Sequence, residues 1–325
     1  MKALVHHAGA RGMLTLENRD EPRPRSGEVL LRVLACGVCR TDLHIVDDEL
    51  PPHHDSIVPG HQIVGEIVPS GERVGVSWLG GVDGTCRFCR SNSENLCDAP
   101  VFTGYDRDGG YAEYVTARSD FTYPLPHNLS NERAAPLLCA GIIGFRALRI
   151  AGVEPGERVG LYGFGASAHL ALQVLRAWRC EVFVATRGAG HREFARSLGA
   201  VWTGGATEKP PRELDRAITF APSGDVVVAA LSALRKGGVV AINAIHLDRM
   251  PEFDYDHLLW GERQIRSVTN MTRRDAVDFL ALAAEQGIRA NVTPFALDDG
   301  GAAVEALRTD RIDGAAVLFP GIMTA

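Results

Sequence analysis

The sequence predicts an α/β protein of two domains: an irregular β domain over residues 1–140, completed by residues 271–325, and a doubly wound parallel-sheet domain over residues 141–270. Three observations predict this. A chain of 325 residues is too long for one comfortable hydrophobic core and suits two. Up to about residue 140 the text is rich in glycine and proline, with short β-like runs and little helical periodicity. At PGERVGLYGFGASAHLALQVLRAW the pattern changes to an apolar strand, a glycine turn and an amphipathic helix, which opens a β-α-β series.

In the first part, EVLLRVLACGV and YAEYVTA read as strands. In the second, strands follow at EVFVAT, AITFA, GGVVAINAI and QIRSVTN, so five or six strands spaced by helices form a parallel sheet covered on both faces and ending near residue 270. The remainder is a helix near RRDAVDFLALAAEQG, a strand near NVTPF, a helix near GAAVEALRT and a last strand at GAAVLF. This is too little to stand alone, and it is expected to fold back onto the first domain.

Composition excludes several functions. Hydrophobic residues at 46% and charged residues at 23% are those of an ordinary soluble globular chain. A net charge of −6 gives no reason to invoke nucleic acid or an anionic membrane as partner. The opening MKALVHHAGARGML lacks the apolar core of a secretory signal, and no run reaches the length of a membrane span, so a cytoplasmic protein is expected. Seven cysteines, an odd number, argue against a disulfide framework and leave metal ligands or buried small side chains.

Gly163, Phe164, Gly165, Ala166, Ser167 and Ala168 lie between a strand and a helix, the context that a dinucleotide fingerprint requires. The first glycine permits the tight turn, the second lets backbone approach a pyrophosphate, and small Ala168 lets the helix lie close to the strand. Cofactor choice then depends on the end of the second strand, where NAD sites place a carboxylate on the ribose. Here the strand ends in Thr186, Arg187 and Gly188, with Arg192 soon after. No acid stands there to repel a 2′-phosphate, and two guanidiniums are available to bind one, unless both are solvated surface charges. NADP(H) is expected in preference to NAD(H). Ile245, the last residue of GGVVAINAI, is a further cofactor contact in this reading.

Cys39, His61 and Cys139 come from three separated segments, GVCRTDLH, GHQIVG and PLLCAG. Two thiolates and one imidazole make a three-ligand zinc site with a fourth position open to water or substrate, the arrangement of catalytic rather than structural zinc. Asp42 is placed to accept a hydrogen bond from the His61 ring. Cys36 forms a C-x-x-C pair with Cys39, but the thioredoxin-like setting of a redox pair is absent; Cys36 and Cys180 read as buried small residues.

These motifs, together with the glycine fingerprint and the closing GAAVLF, resemble the zinc-dependent alcohol dehydrogenases of the medium-chain dehydrogenase/reductase superfamily over essentially the whole chain. The resemblance implies a GroES-like β-barrel catalytic domain and a Rossmann domain. It also implies a catalytic zinc on Cys39, His61 and Cys139, and a proton relay through Thr41 and His44. The alternative for His44 is a surface residue without a role. The substrate class implied is a small alcohol with its aldehyde or ketone, and the assembly a homo-oligomer, dimer or tetramer, pairing through a sheet edge near GGVVAINAI. A cation beside the oxygen eases loss of the alcohol proton, and threonine and histidine can pass it on.

The family also carries a four-cysteine structural zinc site, which here reads Asp83, Cys86, Cys89 and Cys97. Carboxylate oxygen binds zinc, so a loaded site is favoured over an empty knot. Gln62 replaces the family's usual glutamate behind the zinc, and GEIVPSGERVGV is shorter than its usual hairpin. Trp78 lines the substrate pocket or is a core aromatic of the barrel, with Ile142 a second pocket residue. The competing readings are a zinc-free quinone or enone reductase of the same superfamily, and a non-enzymatic NADPH- or metal-binding protein. The zinc ligand set argues against the first, and Thr41 with His44 against the second.

Overall fold

A computed structural model describes residues 1–321. Two compact units divide the chain: Met1–Ile142 with Asn270–Glu285 and the segment from Arg289 onward, and Ile143–Thr269 with Gln286–Ile288.

The spine of the first unit is the eleven-residue strand Glu28–Val38. Its Leu, Val, Ala and Cys side chains supply the inner face of a sheet, with Leu31, Val33, Ala35 and Cys36 buried and Arg32 outside. One edge pairs antiparallel with Gln62–Val68. The other is shared by Tyr114–Arg118 at its start and Ala315–Phe319 at its end. Arg73–Val76 and Thr122–Pro124 extend the sheet on one side, and Val292–Ala296, parallel to Ala315–Phe319, extends it on the other. A smaller sheet orders Thr15–Asn18, Lys2–His7 and Ser56–Ile57, and a two-stranded ribbon pairs Leu79–Gly81 with Val101–Phe102.

The short helix Arg40–Val46 departs from the all-β reading of this region. Its seven residues fall below the window in which helical periodicity is detectable, so its formation depends on tertiary burial of Thr41, Leu43, Ile45 and Val46.

In the second unit six strands run parallel in the order Trp202–Gly204, Glu181–Ala185, Arg158–Tyr162, Leu214–Thr219, Leu234–Ile242, Gln264–Ser267. In chain sequence this is 3-2-1-4-5-6, the order of doubly wound dinucleotide-binding sheets. Two readings need correction. The GGVVAINAI segment is not a sheet edge: Leu234–Ile242 has neighbours on both sides, and the edge is Gln264–Ser267. The side chains say why, since Val239, Val240 and Ala241 are buried, as a central strand requires, whereas Gln264–Ser267 is largely exposed. The short strand Trp202–Gly204 was not foreseen; its three residues carry no readable period. Among the described residues no single helix is long and apolar enough to cross a membrane.

Candidate active site

The metal-ligand candidates meet because the spine strand delivers the chain to Cys39 just as it turns into the helix Arg40–Val46, while its partner strand begins immediately after His61. Between them Gly60 adopts φ +95°, and a Cβ there would lie 2.4 Å from the Tyr111 ring and 2.9 Å from Cys36 Sγ. Only glycine fits this left-handed turn, which aims His61 inward. Cys139 arrives from the end of the helical turn Ala135–Leu138. Cys39 Sγ, Cys139 Sγ and a ring nitrogen of His61 all lie within 4.8 Å of one another.

Asp42 organises this cluster. Fully buried, it accepts Nδ1–H of His61 at 3.0 Å, Tyr111 Oη–H at 3.0 Å, the Cys39 amide at 2.8 Å and the Gly60 amide at 3.3 Å. A carboxylate can only accept, so the His61 proton facing it sits on Nδ1, and Nε2 presents a lone pair in the neutral ring. Nε2 is buried and has no hydrogen-bond partner, an orphaned atom that costs free energy unless something binds it. Burial pushes the imidazole pKa down, but the Asp42 charge and the Cys39 sulfur outweigh it and lift it to about 10, so without a cation Nε2 holds a proton near neutral pH, and a metal bound there takes that proton's place. Cys39 is drawn well below an ordinary thiol by a hydrogen bond from Cys139, against the opposing effect of burial. An imidazole nitrogen and two sulfurs this close together, one of the thiols readily ionised, form a donor set that could hold a metal ion.

Thr41, also buried, places Oγ1 3.7 Å from Cys39 Sγ. His44 stands at the last turn of the same helix, with its side chain 21% exposed and Nδ1 bonded to Glu49. Trp78 packs edge-on against His61, ring centroids 5.0 Å apart, and stacks on Phe102 at 4.8 Å. Ile142 has no solvent exposure. Gln62 is buried against Gly37, its Oε1 without a partner. Cys36 and Cys180 are both buried.

Asp83, Cys86, Cys89 and Cys97 bring four ligand atoms within 4.8 Å of one another. Asp83 Oδ1 accepts the amides of Thr85 at 2.7 Å and Cys86 at 2.9 Å, and the Cys86 and Thr85 amides hold its carboxyl well below the usual range. Cys97 Sγ accepts the amides of Asp83 and Ala99, each at 3.4 Å, and Cys86 is lowered by the amides of Cys89 and Asp98. Amides directed at sulfur favour thiolate, the form that binds a metal. Cys89 goes the other way, its thiol raised by burial and by the neighbouring Cys86 and Cys97 sulfurs; the Asp83 carboxylate completes a group of four that could hold a metal ion.

In the second unit Gly163 takes φ +88° with its Cβ position 3.1 Å from the Ala221 amide nitrogen, a turn closed to other residues. Nothing lies within 4 Å of a Cβ built on Gly165, which caps the helix Ala166–Ala177 and leaves open space at its N-terminus. Phe164 and Ala168 are buried, and Ser167 is half-buried in the first turn. At the end of Glu181–Ala185, Thr186 is buried, and Arg192 Nη1 donates to the carbonyls of Thr186 at 3.0 Å and Arg187 at 2.8 Å. Arg187 is exposed, as is Ile245, which lies beyond the end of its strand.

Two residues escaped the reading of the sequence. Tyr111 holds Asp42 from 69 positions away and carries no local signal. Glu49 lies in the acidic run Asp47-Asp48-Glu49, which reads as solvated charge until the partners are seen.

Residues 25–127 match the alcohol dehydrogenase GroES-like domain. The probable alcohol dehydrogenase AdhA of Mycobacterium tuberculosis is 47% identical over 312 residues, covering 92% of this chain and 90% of the relative. Among solved structures, acetophenone reductase from Geotrichum candidum in complex with NAD is 25% identical with a TM-score of 0.88, covering 98% of this chain and 96% of that one. The cobalt- and zinc-bound thermostable alcohol dehydrogenase of Pyrobaculum aerophilum shares the fold, with a TM-score of 0.89 at 23% identity, covering 98% and 99%. The chain belongs to the zinc-type alcohol dehydrogenases of the medium-chain dehydrogenase/reductase superfamily. It is an oxidoreductase with a GroES-like domain and a Rossmann-like parallel sheet.

Proposed function

We propose that this enzyme interconverts a small alcohol and its aldehyde or ketone, depends on zinc, and prefers NADP(H). The observation that carries the reading is the orphaned Nε2 of His61, buried beside two cysteine sulfurs and oriented by Asp42. Cys39, His61 and Cys139 would hold the catalytic ion, and zinc bound there would supply Lewis acidity toward the substrate oxygen. A nicotinamide cofactor supplies or accepts the hydride. Thr41 takes the hydroxyl proton from the substrate side and passes it toward His44, whose partial exposure lets it exchange with water. Trp78, packed on His61, forms one wall of the substrate site.

Gly163, Phe164, Gly165, Ala166 and Ser167 would carry the pyrophosphate, Thr186, Arg187 and Arg192 the adenosine ribose with its 2′-phosphate, and Ile245 a further cofactor surface. Acetophenone reductase is complexed with NAD, and the structurally similar CAD from Helicobacter pylori with NADP(H); the two arginines and the lack of a carboxylate at this strand end favour the phosphorylated cofactor here. Steady-state reduction of a simple aromatic aldehyde is expected to run at least about tenfold more efficiently with NADPH than with NADH, the worth of one charge-assisted hydrogen bond. A tenfold preference for NADH contradicts the reading. Seven free thiols suit a reducing, cytoplasmic setting, and the exposed edge strand Gln264–Ser267 suits a homo-oligomer, dimer or tetramer.

Asp83, Cys86, Cys89 and Cys97 would hold a second, structural zinc. Asp83→Ala is expected to reduce zinc content from two ions per chain to one and to lower the unfolding temperature, while the catalytic ligands stay in place. Two zinc ions per chain in the variant would show that Asp83 is not a required ligand.

A further inference from the structure

We infer that Asp106 is a positioning residue of the substrate site: it locks in place a wall of three aromatic rings, Trp78, Phe102 and Tyr105, that favours flat aromatic substrates over saturated ones. The inference rests on the reading of Trp78 as one wall of the substrate site given above.

The wall is a stack built outward from His61. Phe102 lies on Trp78 with ring planes 11° apart, and Tyr105 also stacks on Trp78, with centroids 6.1 Å apart and planes at 24°. All three side chains are half-buried, which leaves part of each ring open, whereas Tyr111, Phe121 and Tyr123 are buried. The turn that carries Phe102 and Tyr105 is pressed against the backbone that leads into His61. The Thr103 amide donates to the Trp78 carbonyl at 2.9 Å. Gly104 adopts φ +78°, and a Cβ there would lie 2.9 Å from the Gly60 amide nitrogen, one residue before His61. A shift of this turn therefore moves the wall relative to the metal-ligand candidates.

Asp106 holds the turn. Its amide donates to the Phe102 carbonyl at 2.9 Å and its Oδ2 accepts the Phe102 amide at 2.6 Å, so both backbone polar groups of Phe102 end on one residue. Its Oδ1 accepts Nδ1–H of His53 at 2.5 Å, and its carbonyl accepts Nε2–H of His54 at 2.9 Å. His53 in turn lies against Tyr105, ring centroids 4.4 Å apart, while Tyr105 Oη donates to the Pro51 carbonyl at 2.6 Å. Asp106 thus fixes Phe102 directly and Tyr105 through His53. Its described bonds all go to Phe102, His53 and His54, so it acts on a substrate through the rings. A flat aromatic ring gains from stacking on such a wall as well as from burial, and a saturated ring of similar size gains from burial alone.

The test compares steady-state reduction of benzaldehyde and cyclohexanecarbaldehyde, with the preferred nicotinamide cofactor, in the enzyme with its full metal complement. Asp106→Ala is expected to raise KM for benzaldehyde about tenfold, the worth of one aromatic pair, with kcat and the KM for cyclohexanecarbaldehyde within about twofold. Asp106→Asn keeps an acceptor oxygen and is expected to recover most of that loss. Near-UV circular dichroism, which reads the ring stack, is expected to weaken in the first variant and return in the second. Tyr105→Leu leaves every bond of Asp106 in place and is expected to raise the benzaldehyde KM alone. In a Trp78→Leu background, Asp106→Ala is expected to change nothing further, because it acts through that wall. An equal rise in KM for both aldehydes, or no rise for benzaldehyde, overturns the role of Asp106. A Trp78→Leu enzyme with wild-type KM for both aldehydes overturns the wall reading, and a metal-loaded wild type that reduces neither aldehyde overturns the proposed reaction; either result takes this inference with it.

Discussion

Asp42→Ala is expected to lower the unfolding temperature of the first unit by roughly 10 °C and its zinc affinity about 10- to 100-fold. Asp42 is fully buried and serves as the common acceptor for His61, Tyr111 and two backbone amides. Removing it strands several buried donors at once, a loss of about 3–5 kcal/mol for breaking a buried charged network. Without its acceptor, the His61 ring can rotate or move its proton to Nε2, the atom the metal needs. Asp42→Asn keeps one oxygen and is expected to fall between the two. Thermal unfolding together with zinc competition against a coloured chelator measures both effects. An Asp42→Ala protein with unchanged unfolding and unchanged zinc affinity would separate Asp42 from the metal site.

Arg187→Asp is expected to raise KM for NADPH by about 10- to 100-fold while leaving NADH unchanged or improved, since a charged hydrogen bond is worth about 1.5–3 kcal/mol and the replacement also introduces repulsion. The two arginines differ in how firmly they are held. Arg192 is tied to the carbonyls of Thr186 and Arg187, which anchors one guanidinium at the strand end. Arg187 is exposed with no described side-chain partner, so its charge is available to a ligand. Arg192→Ala is expected to combine weaker NADPH binding with local loosening of the turn. Equal KM for NADPH in wild type and Arg187→Asp would remove Arg187 from the cofactor site.

How far the sequence carried this account follows from where each signal resides. The fingerprint was legible because Gly163 and Gly165 are local: a positive φ and an open Cβ position are requirements of the backbone itself. The clustering of Cys39, His61 and Cys139 was legible because cysteine and histidine at separated turns have few other uses. The Asp83 position was legible as a departure from a spacing that the other three candidates, Cys86, Cys89 and Cys97, keep. What could not be read depended on tertiary neighbours. Tyr111 reaches Asp42 across the fold, and Glu49 meets His44 only because Asp48 turns the chain back. The edge of the parallel sheet was misplaced for a related reason. Valine-rich GGVVAINAI and polar QIRSVTN both read as strands, and only burial on both faces tells a central strand from an edge one.

The central claim is that catalysis runs through a metal held by Cys39, His61 and Cys139. The most direct measurement follows cofactor oxidation at 340 nm with a simple aromatic aldehyde, in matched samples before and after zinc removal by a tight chelator, with metal content determined in each. The expected result is two zinc ions per chain before treatment, activity that falls as zinc is withdrawn, and recovery when zinc is returned. Full activity after verified loss of all zinc would contradict the account and place the chemistry on the protein side chains and the nicotinamide alone.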